Sequence, residues 1–296
     1  LTLFPYTTLF RSRKNPMQID KAIIKWLFVI TLFVAQFVHA SYIDQITPNG
    51  QVRIHYSAST PASCDAILLG VGTSMSISNY DKLSEEIIKY GYVTVIMDHA
   101  PGNMVKTDPQ KYAALANDVK TNLNSWLSGI GCNNVTHWLM GGHSAGGQAA
   151  QNAISNGLTQ ADAIFSIDPY NANNAGNVNL PAMYWGFDVT TCFVEKNDAA
   201  KAAYLHSQNL RAFYRVAKKY SWGPCGYSPK YFHCSFCDEH CPACTNCVST
   251  PQSFFVDVAN SVNKFITAVF YGNWSKSALT ISATTPLMLF VDSELP

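Results

Sequence analysis

Short β-branched runs alternate with amphipathic helical stretches along most of this chain, and that alternation limits its fold more than any other feature. Residues 51–59 set Val52, Ile54 and Tyr56 against polar neighbours, the period of two expected of a half-buried strand. Residues 65–72 form a short apolar run ending in glycines, and residues 92–97 a β-rich run that closes at Asp98. Residues 135–140, 161–167 and 181–187 have the length and composition of further strands. Between these lie helical stripes. Residues 80–90 carry Leu83, Ile87 and Ile88 and stop at Gly91, and residues 109–127 align Tyr112, Leu115, Val119, Leu123 and Trp126. Residues 145–155 read as the next helix and residues 199–219 as one long helix. Residues 251–270 read as another, with Phe254, Phe255, Val258, Val262, Phe265 and Ile266 inward. The tail from Ser275 shows no clear element. Strands alternating with helices imply an α/β fold, a mostly parallel sheet covered on both faces.

The ends of the working chain come from its first forty residues. Residues 1–16, ahead of the first methionine at Met17, look like the conceptual translation of a sequencing adapter, and are set aside as a scar. Residues 17–40 read as a secretory signal peptide. Lys21 and Lys25 precede residues 26–38, where Thr31 and Gln36 are the polar members, and Val38-His39-Ala40 offers a cleavage site. That apolar run is shorter than the ~20 residues that span a bilayer, and no later segment is long enough. A secreted chain without a membrane span is expected, folding as a single domain over 41–296 because no repeat or Pro/Gly linker divides it. The whole chain carries a formal charge of +1; removing residues 1–40 leaves 15 basic and 18 acidic residues, about −3. Neither value offers the basic face that nucleic-acid binding needs.

One strand end carries chemistry. Residues 135–140 run into Gly142-His143-Ser144-Ala145-Gly146 and then a helix, the strand–turn–helix setting in which G-x-S-x-G presents a nucleophilic serine. The helix N-terminus beneath Ser144 favours the negative charge that develops in acyl transfer. A histidine base must lie elsewhere, and downstream of the serine the choices are His206, His233 and His240. Here the sequence resembles the α/β-hydrolase family over essentially the whole of 41–296, and His233-Cys-Ser-Phe236-Cys-Asp238 looks like the H-x-x-F-x-D pattern of platelet-activating-factor acetylhydrolases and related secreted esterases. The resemblance implies an α/β-hydrolase fold, His233 as the base, and an acid between it and the serine. Asp168, ending a strand in Ile167-Asp168-Pro169, is similar to the strand-end Asp-Pro of chlorophyllases and is the preferred acid. Asp188, ending the next strand, matches where cutinase-type polyester hydrolases carry theirs. His240 is the runner-up base, and His206 is expected to be a packing or surface residue. The oxyanion hole would use the N–H groups of Ala145 and Thr73, with Ser74 the alternative to Thr73. Val71 stands where the family usually has histidine.

All nine cysteines follow residue 40, and six fall within the Cys-rich loop 225–247: Cys225, Cys234, Cys237, Cys241, Cys244 and Cys247. Export makes disulfides the default for them, and the odd total leaves at least one unpaired within the chain. The paired C-x-x-C spacing lacks the long spacer of a zinc ribbon, so disulfides bracing the His233 loop are expected, with zinc as the alternative. Two sequons, Asn134-Val-Thr and Asn273-Trp-Ser, are compatible with glycosylation. Together these features predict a monomeric secreted serine hydrolase, needing no cofactor or metal and acting on a small-molecule or polymeric ester (lipid-like, short-chain acyl or polyester). The rival is a catalytically silent protein of the same fold used for binding, which would be expected to lack the serine, the histidine or the acid.

Overall fold

The computed structural model describes residues 40–61, 63–170, 176–188, 199–217, 220–223, 226–229, 231–238 and 250–292. The expectations for residues 1–39, His240, Cys192, Cys225, Cys241, Cys244 and Cys247 lie outside them.

Eleven strands are described: β1 (Ala40–Thr47), β2 (Gly50–Ser57), β3 (Ser63–Gly70), β4 (Val93–Asp98), β5 (Asn134–His143), β6 (Ala163–Ile167), β7 (Ala182–Phe187), β8 (Arg211–Val216), β9 (Tyr220–Gly223), β10 (Gly226–Pro229) and β11 (Leu287–Asp292). Nine of them form one sheet in the order β1-β2-β4-β3-β5-β6-β7-β8-β11, and β9 and β10 form a separate hairpin. The stretch from β4 to β8 is parallel throughout; β1, β2 and β11 pair antiparallel at its edges. The protein is therefore an α/β protein with a mostly parallel sheet.

Both faces of that sheet are buried, which explains why its central strands are almost entirely apolar. In β3, Ile67 and Leu69 face one core and Ala66 and Leu68 the other. On the first face, α1 (Asp81–Ile87) packs beside the long helix α5 (Gln252–Phe270). Phe254, Phe255, Val258, Val262, Phe265 and Ile266 of α5 are all buried there, the stripe expected from the sequence. On the second face α2 (Pro109–Trp126) and α3 (Ala145–Ser155) lie side by side. Asp108 caps α2, its side chain accepting from the N–H groups of Gln110 and Lys111, and Pro109 occupies the first turn, where a missing N–H costs nothing.

Two expectations are corrected. Residues 199–219 are not one helix. Helix α4 (Ala199–His206) ends at His206, and β8 begins five residues later. The Arg211 guanidinium donates to the carbonyls of Tyr204, Leu205 and Ser207, satisfying the end of α4, while Ala212 and Phe213 are buried in the sheet. Nor is the tail after Ser275 without structure. A short helix α6 (Lys276–Leu279), capped by Ser275, leads to β11, which adds antiparallel to β8 as an edge strand.

Candidate active site

The sheet gathers several loops at the carboxyl ends of its parallel strands, where open α/β sheets place their ligand sites. Ser144 follows β5 there. Its backbone sits at φ 53°, ψ −120°, a conformation that costs roughly 1–3 kcal/mol for a non-glycine residue. The surroundings hold it: the Ser144 N–H donates to Ile167 O at 3.1 Å, and its carbonyl accepts from Tyr170 N at 2.9 Å and Gln148 N at 3.2 Å. The glycines on either side of the serine have a steric reason. A methyl group on Gly146 would overlap the Gly70 carbonyl, and one on Gly142 would lie 2.6 Å from Gly70 O. The turn is thus pressed against β3, and only glycine allows that approach.

Asp168 ends the adjacent strand, β6, also with positive φ (43°) and with its N–H donating to Trp185 O at 2.8 Å. Its Oδ2 accepts the Nδ1–H of His233 at 2.8 Å, and both side chains are buried. A carboxylate on Nδ1 fixes the tautomer that leaves Nε2 as an acceptor. Asp188, the competing acid, ends β7 and ion-pairs with Arg215. His206 closes α4 and bonds Asn177 at 3.2 Å. The structure thus brings Asp168 and His233 together.

The turn after β3 faces the serine. A methyl group on Gly72 would stand 3.3 Å from Ser144 Cβ. The Ser74 N–H, the alternative oxyanion donor, is committed to the Met104 carbonyl at 3.1 Å. Thr73, the preferred expectation for this turn, is half-buried, and Ala145 is the first residue of α3. Met104 belongs to a loop whose base is held by a buried ion pair, Lys106 Nζ to Asp98 Oδ1 at 2.5 Å. His99 Nε2 bonds Lys106 O in the same loop, and burial depresses the pKa of that imidazole. Met104 and Val105 themselves are exposed beside the turn.

The six residues from His233 to Asp238 divide the labour of holding the histidine. Residues 233–236 form a single 3-10 turn, closed by Phe232 N to Ser235 Oγ and Ser235 N to Phe232 O. Phe236 is the wedge: fully buried, it packs its ring against Trp185, Phe187 and Phe254. Asp238 is the clasp. Its carboxylate accepts the Lys82 N–H at 3.0 Å at the start of α1, and its own N–H donates to Asn79 O at 2.8 Å. Burial raises its pKa to about 6. Cys234, the neighbour of His233, is disulfide-bonded.

Sequence reasoning missed two residues at this centre, His143 and Tyr80. The first stood at an unassigned position of the G-x-S-x-G pattern, and the second lay within an amphipathic stripe, so neither sequence context distinguished it from packing. No protein-family model matches this chain, and no curated protein matches it.

Proposed function

We propose that this protein is a secreted serine esterase with an α/β-hydrolase fold in a single domain, related to the platelet-activating-factor acetylhydrolase and chlorophyllase type. The observation that carries the reading is the Asp168–His233 hydrogen bond at 2.8 Å, from the strand end next to the strained turn of Ser144. In this reading Ser144 Oγ attacks the ester carbonyl carbon as its proton passes to His233 Nε2. Asp168 orients the imidazole and stabilises its cation. The N–H groups of Ala145 and Thr73 receive the oxyanion. The tetrahedral intermediate collapses, His233 returns the proton to the departing alkoxide, and alcohol leaves. Water, deprotonated by His233, then attacks the acyl-Ser144 ester and releases the acid, restoring the serine. No metal or cofactor enters these steps. The exposed Met104 and Val105 beside the oxyanion turn favour an ester with an apolar acyl group. The Cys64–Cys132 disulfide, with Cα atoms 5.3 Å apart, supports an oxidising compartment and therefore export.

The test is hydrolysis of p-nitrophenyl esters of increasing acyl length by the chain from Ser41, beside Ser144→Ala. The variant is expected to lose on the order of 10³-fold or more in kcat. Equal rates for the two proteins would overturn the reading and favour a binding protein of the same fold.

A further inference from the structure

Tyr80 and His143 occupy a place in the molecule that packing alone does not explain. Tyr80 is buried at the end of the 3-10 turn Ile77–Tyr80, between the oxyanion turn and α1. Its hydroxyl makes two contacts at once: it accepts the Gly72 N–H at 2.9 Å and lies 2.9 Å from His143 Nδ1. A phenol that accepts from one partner has its own proton to give the other, so Nδ1 of His143 is the acceptor. The proton of that imidazole is then on Nε2, which donates to the backbone carbonyl of His233 at 3.0 Å. The directions agree along the whole chain: Gly72 N–H to Tyr80 O–H to His143, and His143 Nε2–H to His233 C=O.

What those ends are gives the chain its meaning. Gly72 precedes Thr73, the proposed oxyanion donor. His143 precedes Ser144, the proposed nucleophile. The carbonyl belongs to His233, the proposed base, whose ring lies 4.5 Å from that of His143. Three segments far apart in sequence, residues 72, 143 and 233, are thereby tied by two side chains. The His143 environment is otherwise Phe236, with ring centroids 5.9 Å apart, and the Cys237 sulfur 3.8 Å from Nδ1. Complete burial and the neighbouring His233 hold the His143 pKa well below its usual value, which keeps the ring neutral and preserves its acceptor at Nδ1.

We infer that Tyr80 and His143 are positioning residues that set the register between the oxyanion turn, the nucleophile and the base through this hydrogen-bond chain. The inference rests on the esterase reading above. Neither residue touches the reacting atoms in it. Phenylalanine at 80 leaves the Gly72 N–H and His143 Nδ1 both without the hydroxyl; phenylalanine at 143 leaves the His233 carbonyl and the Tyr80 hydroxyl without theirs. Glutamine at 143 retains one amide donor and one amide acceptor.

The experiment is a kinetic cycle of wild type, Tyr80→Phe, His143→Phe, the double variant and His143→Gln on p-nitrophenyl butyrate, with rates expressed per folded molecule from circular dichroism. Each single Phe variant is expected to lower kcat at least tenfold while KM stays within about threefold. His143→Gln should recover much of the His143→Phe loss, and the double variant should be little worse than either single one, because both break one chain. A wild type that turns over while the Phe variants match it per folded molecule overturns the positioning role and leaves the esterase reading intact. Losses that multiply in the double variant, with no rescue by glutamine, also overturn it and assign the two residues to packing. A wild type whose turnover Ser144→Ala does not remove overturns the esterase reading and this role with it.

Discussion

The serine side and the histidine side of the site are built in different ways. Ser144 is placed by its immediate neighbours in sequence: strand β5 ahead, helix α3 behind, and glycines at 142 and 146 that let the turn touch β3. His233 is placed almost entirely by residues distant in sequence. Asp168 holds its ring, His143 its carbonyl, Asn79 and Lys82 the end of its turn, and Trp185, Phe187 and Phe254 the wedge at Phe236. The proposed nucleophile is therefore specified by a pentapeptide, whereas the proposed base depends on a tertiary structure that is already assembled.

The largest effect separating the two sides is expected at the acid. Asp168→Asn keeps the shape of the side chain but offers His233 Nδ1 an uncharged partner. It should reduce kcat on the order of 10³–10⁴-fold, as loss of the triad acid does where the tautomer is disturbed. Asp188→Asn breaks the ion pair with Arg215, which is partly solvent-exposed. Such a pair contributes about 1 kcal/mol or less, and kcat should stay within threefold. Parallel p-nitrophenyl butyrate assays decide it: a comparable loss in both variants would sink the assignment of Asp168.

Disulfides sharpen the contrast at the next scale. Cys64 and Cys132 cross-link the chain near the starts of β3 and β5, the opposite end of those strands from Ser144, and close 68 residues of sequence. Replacing both with serine should lower stability by about 4 kcal/mol by the loop-entropy argument, with kcat per folded molecule unchanged. Cys234→Ser removes a cross-link adjoining the base, so kcat should fall about tenfold even where the fold survives. Dithiothreitol should reproduce that loss and EDTA should not. Activity lost with EDTA alone would instead make the cysteine loop a metal site.

How much of this was legible in the sequence follows the same division. The strand–helix alternation from β2 to β7, the buried stripe of α5 and the turn at Ser144 follow from local spacing, and the structure has these where the pattern put them. The break at residues 207–210 was missed because the alanine-rich start of α4 continues smoothly into Arg211–Val216 by composition; what makes Arg211–Val216 a strand is its pairing with β7 and β11, which is tertiary. Strand β11 was missed for a related cause, since Leu287–Asp292 becomes a strand by pairing with β8. At the site, Asp168 could be named from its strand end but could not be separated from Asp188 without the distance to His233. Tyr80, His143 and the clasp at Asp238 depend on contacts spanning 63 to 156 residues of sequence. No periodicity encodes such contacts.

The smallest expected effect concerns that clasp, and its sign is specific. Burial raises the Asp238 carboxyl from 3.8 to about 6, so between those values the folded protein holds a proton that the unfolded chain has released. Stability contributed at this site is therefore fully present at the acid end and is lost as pH rises from about 4 through 6, the reverse of a salt-bridged aspartate. The group is half-buried, and solvent screening limits the change to about 1 kcal/mol. Asp238→Asn abolishes the titration while leaving an amide oxygen for the Lys82 N–H. The difference in urea unfolding free energy between wild type and Asp238→Asn should accordingly be more favourable to wild type at pH 4.5 than at pH 7.5, since all other titrating groups cancel in the subtraction. A difference that is constant with pH would mean the clasp is solvated, and one that grows with pH would mean the N–H groups of Lys82 and α1 outweigh burial. Either result would show that burial does not govern the Asp238 carboxyl, and would leave Asp168, His143 and the buried Phe236 as the contacts that hold the histidine loop.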